Sequence, residues 1–319
     1  DRKGREKNVV TFDFIENGKI ITDAPKCYLS LLKAGSMRFR WNEKNQSREN
    51  FIQKIQNQNG KIFVPVELNH TKDVYDVKNA DDTNEKVGDG IITTNKNLIP
   101  CVTVADCVPI YFFDRKSGVF GIVHSGWKGT GIIEKALLLA NKNYNSLPSD
   151  FSVVIGPHIN ECCYIVNEDR ALYFAKNFGN ECVVPLEADG SCYCGGRGLP
   201  ITWNNGGGNL YRLSLSKANL FVLKKLGVKD ENIFVSKDCT CCDELYGSNR
   251  RQTAFGQEFC VQIAYIVNEN DVLNQLLPVS YNKIIPNAEL KPITYQITNS
   301  NSVFLAGLAA NNCSQALIQ

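Results

Sequence analysis

Residues 104–131 read VADCVPIYFFDRKSGVFGIVHSGWKGTG, and no other part of the chain restricts the fold as tightly. Two apolar runs, CVPIYFF and VFGIVH, are rich in β-branched and aromatic residues, and the DRKSG between them carries turn formers. The pattern predicts a β-hairpin. A loop centred on Arg115 and Lys116 sets Cys107 directly opposite His124, with Cβ atoms ~5 Å apart on one face. That is close enough to share a metal ion or to form a thiolate and imidazole pair. A register one residue away would send the two to opposite faces.

Past His124 the chain reads SGWKGTG and then IIEKALLLANK, a glycine-rich corner opening a helix. The backbone from Ser125 through Gly126 and Gly129, with Lys128 beside it, is a candidate seat for phosphate or a carboxylate, because helix N-termini present unpaired N–H groups and a positive dipole end. No Walker loop is present. The alternative is a turn that needs glycine for its own geometry.

The remaining chain alternates strands and helices. Asn17-Gly18 is a hairpin turn signal between two short strands. A cationic segment with Ser36, Arg38, Arg40 and Arg48 runs into the amphipathic helix pattern ENFIQKIQNQ. Residues 61–70 are expected as a strand ending at His70, and GDGIITT leads another strand with Asp89 between two glycines. A strand follows at 151–157, and residues 210–227 have helical periodicity closed by Gly227. ENIFVSKDCTCC runs from a strand into cysteines, and a last strand ends near Val267. The glycine-rich stretch 189–209 reads as an exposed loop. From Asn268 the composition shifts to Asn, Ser, Gln, Leu and Pro, which marks 268–319 as a tail, appended or partly disordered, outside a domain spanning 1–267. The order of elements points to a mixed α/β architecture.

With 35 basic and 33 acidic residues the formal charge is +2, which gives no reason to expect a nucleic-acid or membrane partner. No run reaches the ~18 apolar residues of a membrane span, and the first residues are charged where a signal peptide would turn apolar. A soluble, cytoplasmic protein is expected, as a monomer or small homo-oligomer. The 13 cysteines are odd in number and do not resemble a small disulfide framework. The clusters Cys162-Cys163 and Cys239-Thr240-Cys241-Cys242 are read as buried thiols, without the CxxC spacing or histidine neighbours of a second metal site. Only three histidines occur, His70, His124 and His158. A three-domain multicopper oxidase needs about ten imidazoles, so that architecture is excluded.

VADCVPIYFFD, GIVHSGWKGTG, VVIGPHINECCYIV and the later CT followed by NRRQTAFG together resemble the YfiH-like family, whose members carry the label of laccase-domain or multicopper polyphenol oxidoreductases. The likeness covers roughly residues 20–267. It implies a single α/β domain, a layered sandwich of β-sheets flanked by helices with a cysteine-hydrolase-like look, and a zinc held by one cysteine and two histidines. It also implies purine nucleoside phosphorylase activity on adenosine, inosine or methylthioadenosine, with adenosine deamination as a side activity. Carried over position by position, the metal ligands fall on His70, Cys107 and His124, and the arginine of the SxR segment on Arg38. The NR pair is echoed at Arg48. Two departures stand out: the glycine pair after the first arginine is absent, since Arg38-Phe39-Arg40-Trp41 follows, and the glutamate of CCYEV is Ile165.

One thiolate and two imidazoles leave a fourth zinc position open for water or substrate. Arg38, Arg48, Lys128 and the 125–131 backbone are the expected anion holders, with Arg250 and Arg251 in reserve. Asp89 is a candidate acid, base or orienting carboxylate, and so is Asp106. His158 is expected in a surface or hydrogen-bonded role. The catalytic candidates are thus Cys107, His124, Asp89 and Arg38. Three other readings remain open: a copper-dependent polyphenol oxidase on the same ligands, a metal-free cysteine hydrolase with Cys107 as nucleophile and His124 as base, and a binding protein with a structural zinc.

Overall fold

The computed structural model describes residues 8–186 and 209–269. The strands Val108–Asp114 and Phe120–Ser125 are buried along their whole length, which explains why they read as continuous apolar runs instead of alternating ones. They sit inside a six-stranded mixed sheet, flanked by Phe151–Ile155 and Ile233–Val235 on one side and by Gly90–Thr93 and Val74–Asp76 on the other. A second, five-stranded sheet is built from Val9–Phe12, Lys26–Ser30, Gln262–Val267, Leu98–Val104 and Ile62–Val64, in that spatial order.

One face of the six-stranded sheet packs on the five-stranded sheet through Ile91, Tyr111, Phe113 and Ile122 against Leu29, Val102, Val104 and Ile266. Its other face, carrying Ile110, Phe112, Val123 and Val153, is covered by the helices Ile132–Tyr144, Glu168–Phe178 and Leu215–Leu226. The outer face of the five-stranded sheet is covered by the helix Gln46–Asn59 through Phe51, Ile52 and Ile55, packed on Ile99, Ile263 and Tyr265. The expected layered α/β sandwich is therefore the fold, in the order helix, sheet, sheet, helices. Each apolar side chain taken fully into these layers contributes ~1.5–3 kcal/mol. Tyr111 joins the two sheets by donating its hydroxyl hydrogen to the Tyr28 carbonyl at 2.7 Å.

Local sequence explains the ends of the helices. Asn45 accepts from the Arg48 N–H at the start of Gln46–Asn59, and Gly60 closes it with φ 63°. Gly227 stops Leu215–Leu226 with φ 93°, as its position predicts. That helix is shorter than its periodicity implied: Leu210–Leu213 is a strand, and Ser214 caps the helix after it. The expected strand over 61–70 is also shorter. It ends at Val64, before Pro65, which has no N–H for the ladder, and His70 lies on an irregular segment with φ 57°.

The central hairpin needs a correction of register. Its turn is centred between Lys116 and Ser117, so that Phe113 faces Phe120 and His124 faces Pro109. Cys107 lies just before its strand, two positions diagonal from the expected pairing. A slip of two residues, unlike a slip of one, leaves both side chains on the same face. Most of the glycine-rich stretch 189–209 and of the tail 268–319 lies outside the described residues. Among the described residues no helix is long and apolar enough to cross a membrane.

Candidate metal centre and cavity

Three chain segments converge at the open end of the hairpin. His124 closes the Phe120–Ser125 strand, Cys107 precedes the Val108–Asp114 strand, and His70 comes from the segment after Ile62–Val64. Their ligand atoms lie within 4.8 Å of one another. The two imidazole rings are nearly perpendicular with centroids 5.0 Å apart. His124 is buried and His70 is exposed, so the set opens to solvent on the His70 side.

Asp89 organises this convergence. Its Oδ1 lies 2.9 Å from His124 Nδ1 and accepts the His70 N–H at 3.0 Å, while Oδ2 accepts the Thr71 N–H and hydroxyl at 2.6 and 2.9 Å. The His124 N–H returns to the Asp89 carbonyl at 2.7 Å. One buried carboxylate therefore holds the left-handed backbone of His70 and sets the tautomer of His124, whose Nε2 is left for a ligand bond. Burial opposes the charge on Asp89, but the bonds from His124 and Thr71 hold its carboxyl below the ordinary value. For His124, burial acts downward, yet the charge of Cys107 and the bond to Asp89 raise the imidazole to about 9. Burial and the neighbouring His124 keep the His70 imidazole below its ordinary value.

Gly126 lies against the three side chains. A Cβ there would stand 3.2 Å from Cys107 Sγ, 3.4 Å from His124 Cε1 and 3.5 Å from His70 Cδ2. The backbone thus lies against all three residues, and a Cβ would crowd the Cys107 sulfur while touching the two imidazoles. A thiolate and two imidazoles are a soft and borderline donor set that fits zinc and also copper.

Asp106 aims Cys107 from the other side. It adopts φ 78° and is buried, and its carboxylate accepts from the Thr240 hydroxyl at 2.7 Å and the Arg250 N–H at 2.6 Å. Burial raises its carboxyl above the ordinary range even against these bonds.

The ligands line a cavity of about 480 Å³, a size that suits a small organic molecule. Arg38, Arg40 and Arg250 share its wall with the rings of Phe39, Trp127 and Tyr164 and with Asn249. Arg40 is braced by the Leu68 carbonyl at 3.1 Å and by Glu67 at 3.7 Å. Arg250 reaches the Ile165 carbonyl at 3.3 Å and lies 5.6 Å over the Tyr164 ring.

Several expected anion holders stand elsewhere. Arg48 is buried, donates to the carbonyls of Arg38 at 2.7 Å and Glu43 at 3.1 Å, and stacks on Phe39. It shapes the loop that carries Arg38. Arg251 ties together the carbonyls of Thr240, Cys241, Asp243 and Tyr246. Ser125 is buried and bonds Asn219 on the covering helix at 3.0 Å. Lys128 lies over the Trp127 ring at 5.5 Å, outside the cavity wall. At Gly129 a Cβ would meet the Thr71 carbonyl at 2.9 Å, and the Ile132 N–H bonds the Gly129 carbonyl. The corner's glycines thus answer to packing against the His70 segment. His158 is not a surface group: it is buried with Nδ1 2.8 Å from the Gly156 carbonyl.

Arg40, Tyr164 and Asn249 were not singled out as site residues by the sequence. Asn249 adjoins Arg250 and Arg40 stands two residues from Arg38, whereas Tyr164 follows the Cys162-Cys163 pair, and only the fold turns each toward the cavity.

Residues 42–263 match the family described as "Multi-copper polyphenol oxidoreductase laccase". The chain belongs to this family. It is 35% identical over 166 residues to a protein named purine nucleoside phosphorylase YlmD from Geobacillus stearothermophilus, a match covering 51% of this chain and 54% of that one. A protein named purine nucleoside phosphorylase from Borreliella burgdorferi is 34% identical over 184 residues, covering 57% of this chain and 71% of the relative. The chain spans about half the length of the first curated relatives it matches. Among solved structures, YfiH of Bacillus licheniformis superimposes with a TM-score of 0.63 at 24% identity, over 76% of this chain and 92% of that one. YlmD of Geobacillus stearothermophilus gives 0.61 at 24% identity over 80% and 99%. Both likenesses below 25% identity speak for the fold of this family member.

Proposed function

We propose that this family member is a zinc-dependent purine nucleoside phosphorylase, taking adenosine, inosine or methylthioadenosine with phosphate to the free base and ribose 1-phosphate. The observation that carries the reading is the meeting of three guanidinium groups and an open Cys–His–His set on one cavity. Guanidinium forks suit phosphate, and the rings of Phe39, Trp127 and Tyr164 suit the faces of a purine. The relatives are named as phosphorylases of purine nucleosides, the class to which these substrates belong.

In this reaction a phosphate oxygen forms a bond to C1′ of the ribose while the C1′–N9 bond breaks. The electron pair leaves with the purine, which takes up a proton. Arg38, Arg40 and Arg250 hold the phosphate and offset its charge, and the aromatic wall orients the base. Asp89 keeps His124 in one tautomer. When bound at His70, Cys107 and His124, zinc supplies a Lewis acid that polarises an oxygen or lowers the pKa of water. The same cavity is our proposed site for adenosine deamination as a side activity.

The family's description favours a second reading, copper-dependent phenol oxidation. The three ligands are chemically acceptable to copper. Yet the chain has only three histidines, and the third, His158, is buried against Gly156, so no imidazoles are left for a multicopper array. The deciding experiment is metal analysis of the purified protein, with assays for free adenine plus ribose 1-phosphate and for phenol oxidation, on wild type and His124→Ala. Zinc with phosphate-dependent adenine release, with that release and the zinc equivalent held by His70, Cys107 and His124 both lost in the variant, bears the proposal out. Copper with phenol oxidation and no phosphorolysis overturns it, and base release without metal in either protein returns a metal-free hydrolase.

A further inference from the structure

A second cluster of soft ligands lies apart from the His70, Cys107 and His124 set. The loop after the Phe151–Ile155 strand carries Cys162 and Cys163, and the loop after Ile233–Val235 carries Cys239 and Cys242. The two loops run side by side, with His158 and Cys239 forming an isolated parallel bridge. The sulfurs of all four cysteines lie within 4.8 Å of one another. Cys162 and Cys163 stand 3.5 and 3.4 Å from Cys242, and 3.7 Å from each other.

Those distances discriminate between outcomes. A disulfide bond is ~2.05 Å long, well short of any of these separations. A tetrahedral zinc with bonds of ~2.3 Å to four thiolates sets its sulfurs ~3.8 Å apart. The four sulfurs already stand close to such a tetrahedron. Contrary to the expectation from the sequence, Cys239 and Cys242 have the CxxC spacing of a zinc knuckle, with Cys241 lying between them. Cys241 bonds to Cys163 but stands outside the mutually close group.

The surroundings suit a thiolate centre. The Asn160 N–H points to Cys239 Sγ at 3.3 Å. Positive groups gather around the excess charge that four thiolates on one zinc would carry. Arg212 donates to the Cys162 carbonyl at 3.3 Å, and Arg251 donates to the Thr240 and Cys241 carbonyls at 2.5 and 3.0 Å.

We propose that Cys162, Cys163, Cys239 and Cys242 form a second metal site, a closed four-thiolate structural zinc centre that staples the 158–163 loop to the 239–242 loop. Four protein ligands leave no position for substrate, in contrast to the open three-ligand set. The staple has a specific load to hold. Thr240 and Arg250 both bond the Asp106 carboxylate, Ile159 donates its N–H to the Asp106 carbonyl at 3.0 Å, and Asp106 precedes Cys107. The centre therefore fixes the loops that position Cys107 from behind, together with Arg250 and Tyr164 on the cavity wall.

The test counts metal in the full chain, with zinc as the probe. Protein purified with zinc and dialysed should hold about two ions, and His124→Ala or His70→Ala should hold about one. X-ray absorption of zinc in either histidine variant should then show a sulfur-only shell at ~2.3 Å. Cys239→Ser/Cys242→Ser should lose one equivalent while the remaining zinc shows a mixed nitrogen and sulfur shell. If the double serine variant fails to fold, the histidine variants still decide. Histidine variants that retain no zinc, a mixed shell in them, or a disulfide among these cysteines found by intact mass under reductant-free, zinc-replete conditions would each overturn the proposal. The count does not depend on phosphorolysis, so it stands or falls apart from the proposed activity.

Discussion

Oδ1 of Asp89 lies 2.9 Å from Nδ1 of His124 and, at 3.0 Å, accepts the backbone N–H of His70. One oxygen thus touches a ligand imidazole from strand Phe120–Ser125 and the main chain of a second ligand from an irregular segment. The relationship is stronger than that of a carboxylate that merely orients one ring, because it also supports a non-glycine residue at positive φ.

Asp89→Asn should therefore weaken the metal centre more than it weakens the fold. An amide can accept at one atom only, so its NH2 would face the N–H and hydroxyl of Thr71 or Nδ1–H of His124. We expect zinc affinity to fall about 10- to 100-fold, the range for losing a partner behind a ligand histidine. Competition against a chromophoric chelator measures it. Unchanged affinity would show that His70 and His124 need no such support.

Gly126→Ala introduces a methyl 3.2 Å from Cys107 Sγ. The Cys107 sulfur must give by a few tenths of an ångström or the 125–131 corner must shift, while His124 and His70 stay at contact distance. We expect a stability loss of about 1–3 kcal/mol, typical of overpacking, together with reduced zinc occupancy. Denaturant melts and metal analysis of the same preparation check both. Full occupancy with native stability would mean that the corner yields freely.

Arg38 and Arg48 should behave differently although both come from one cationic segment. Arg38 lines the cavity with its side chain about half exposed, whereas Arg48 is buried on the Arg38 and Glu43 carbonyls. Under the proposed activity, Arg38→Ala should raise the phosphate KM about tenfold with little effect on stability, as removal of a charge-assisted bond implies. Arg48→Ala should lower stability by about 1–3 kcal/mol by removing two hydrogen bonds from a buried charged donor, together with its packing on Phe39. Phosphate titrations and thermal melts on the two variants separate the roles. The reverse pattern would sink this assignment.

Tyr111→Phe removes only the hydroxyl that joins the two sheets at the Tyr28 carbonyl. A cost of about 0.5–1.5 kcal/mol is expected, with zinc content unchanged. Urea unfolding and metal analysis give the answer, and a loss of metal would reveal coupling between the sheet interface and the ligands.

Much of this was legible before the fold was known, for reasons that differ from place to place. The paired strands around Asp114–Val119 announce themselves because burial on both faces leaves near-continuous apolar runs, with polar residues only at the ends, at Asp114, His124 and Ser125. Their register does not, since Ser117 and Gly118 shift the centre of the turn and no side-chain pattern marks it. His70 entered only by family likeness: a histidine after Pro65 on irregular backbone has no period to betray it. Arg48 and Arg251 look like surface cations in a sequence, and only the carbonyls that converge on them show otherwise. The four-cysteine set is assembled from loops about 80 residues apart, a separation that no local spacing reports.

The hairpin also determines how an ion can come and go. Cys107 and His124 adjoin strands packed on both faces, whereas His70 is exposed on an irregular segment tied down chiefly by Asp89 and Thr71. The centre is thus a vice with one fixed jaw and one hinged jaw. An ion held there as proposed would exchange through the release of His70, at a rate set by the opening of that short segment and not by the stability of the sandwich beneath it.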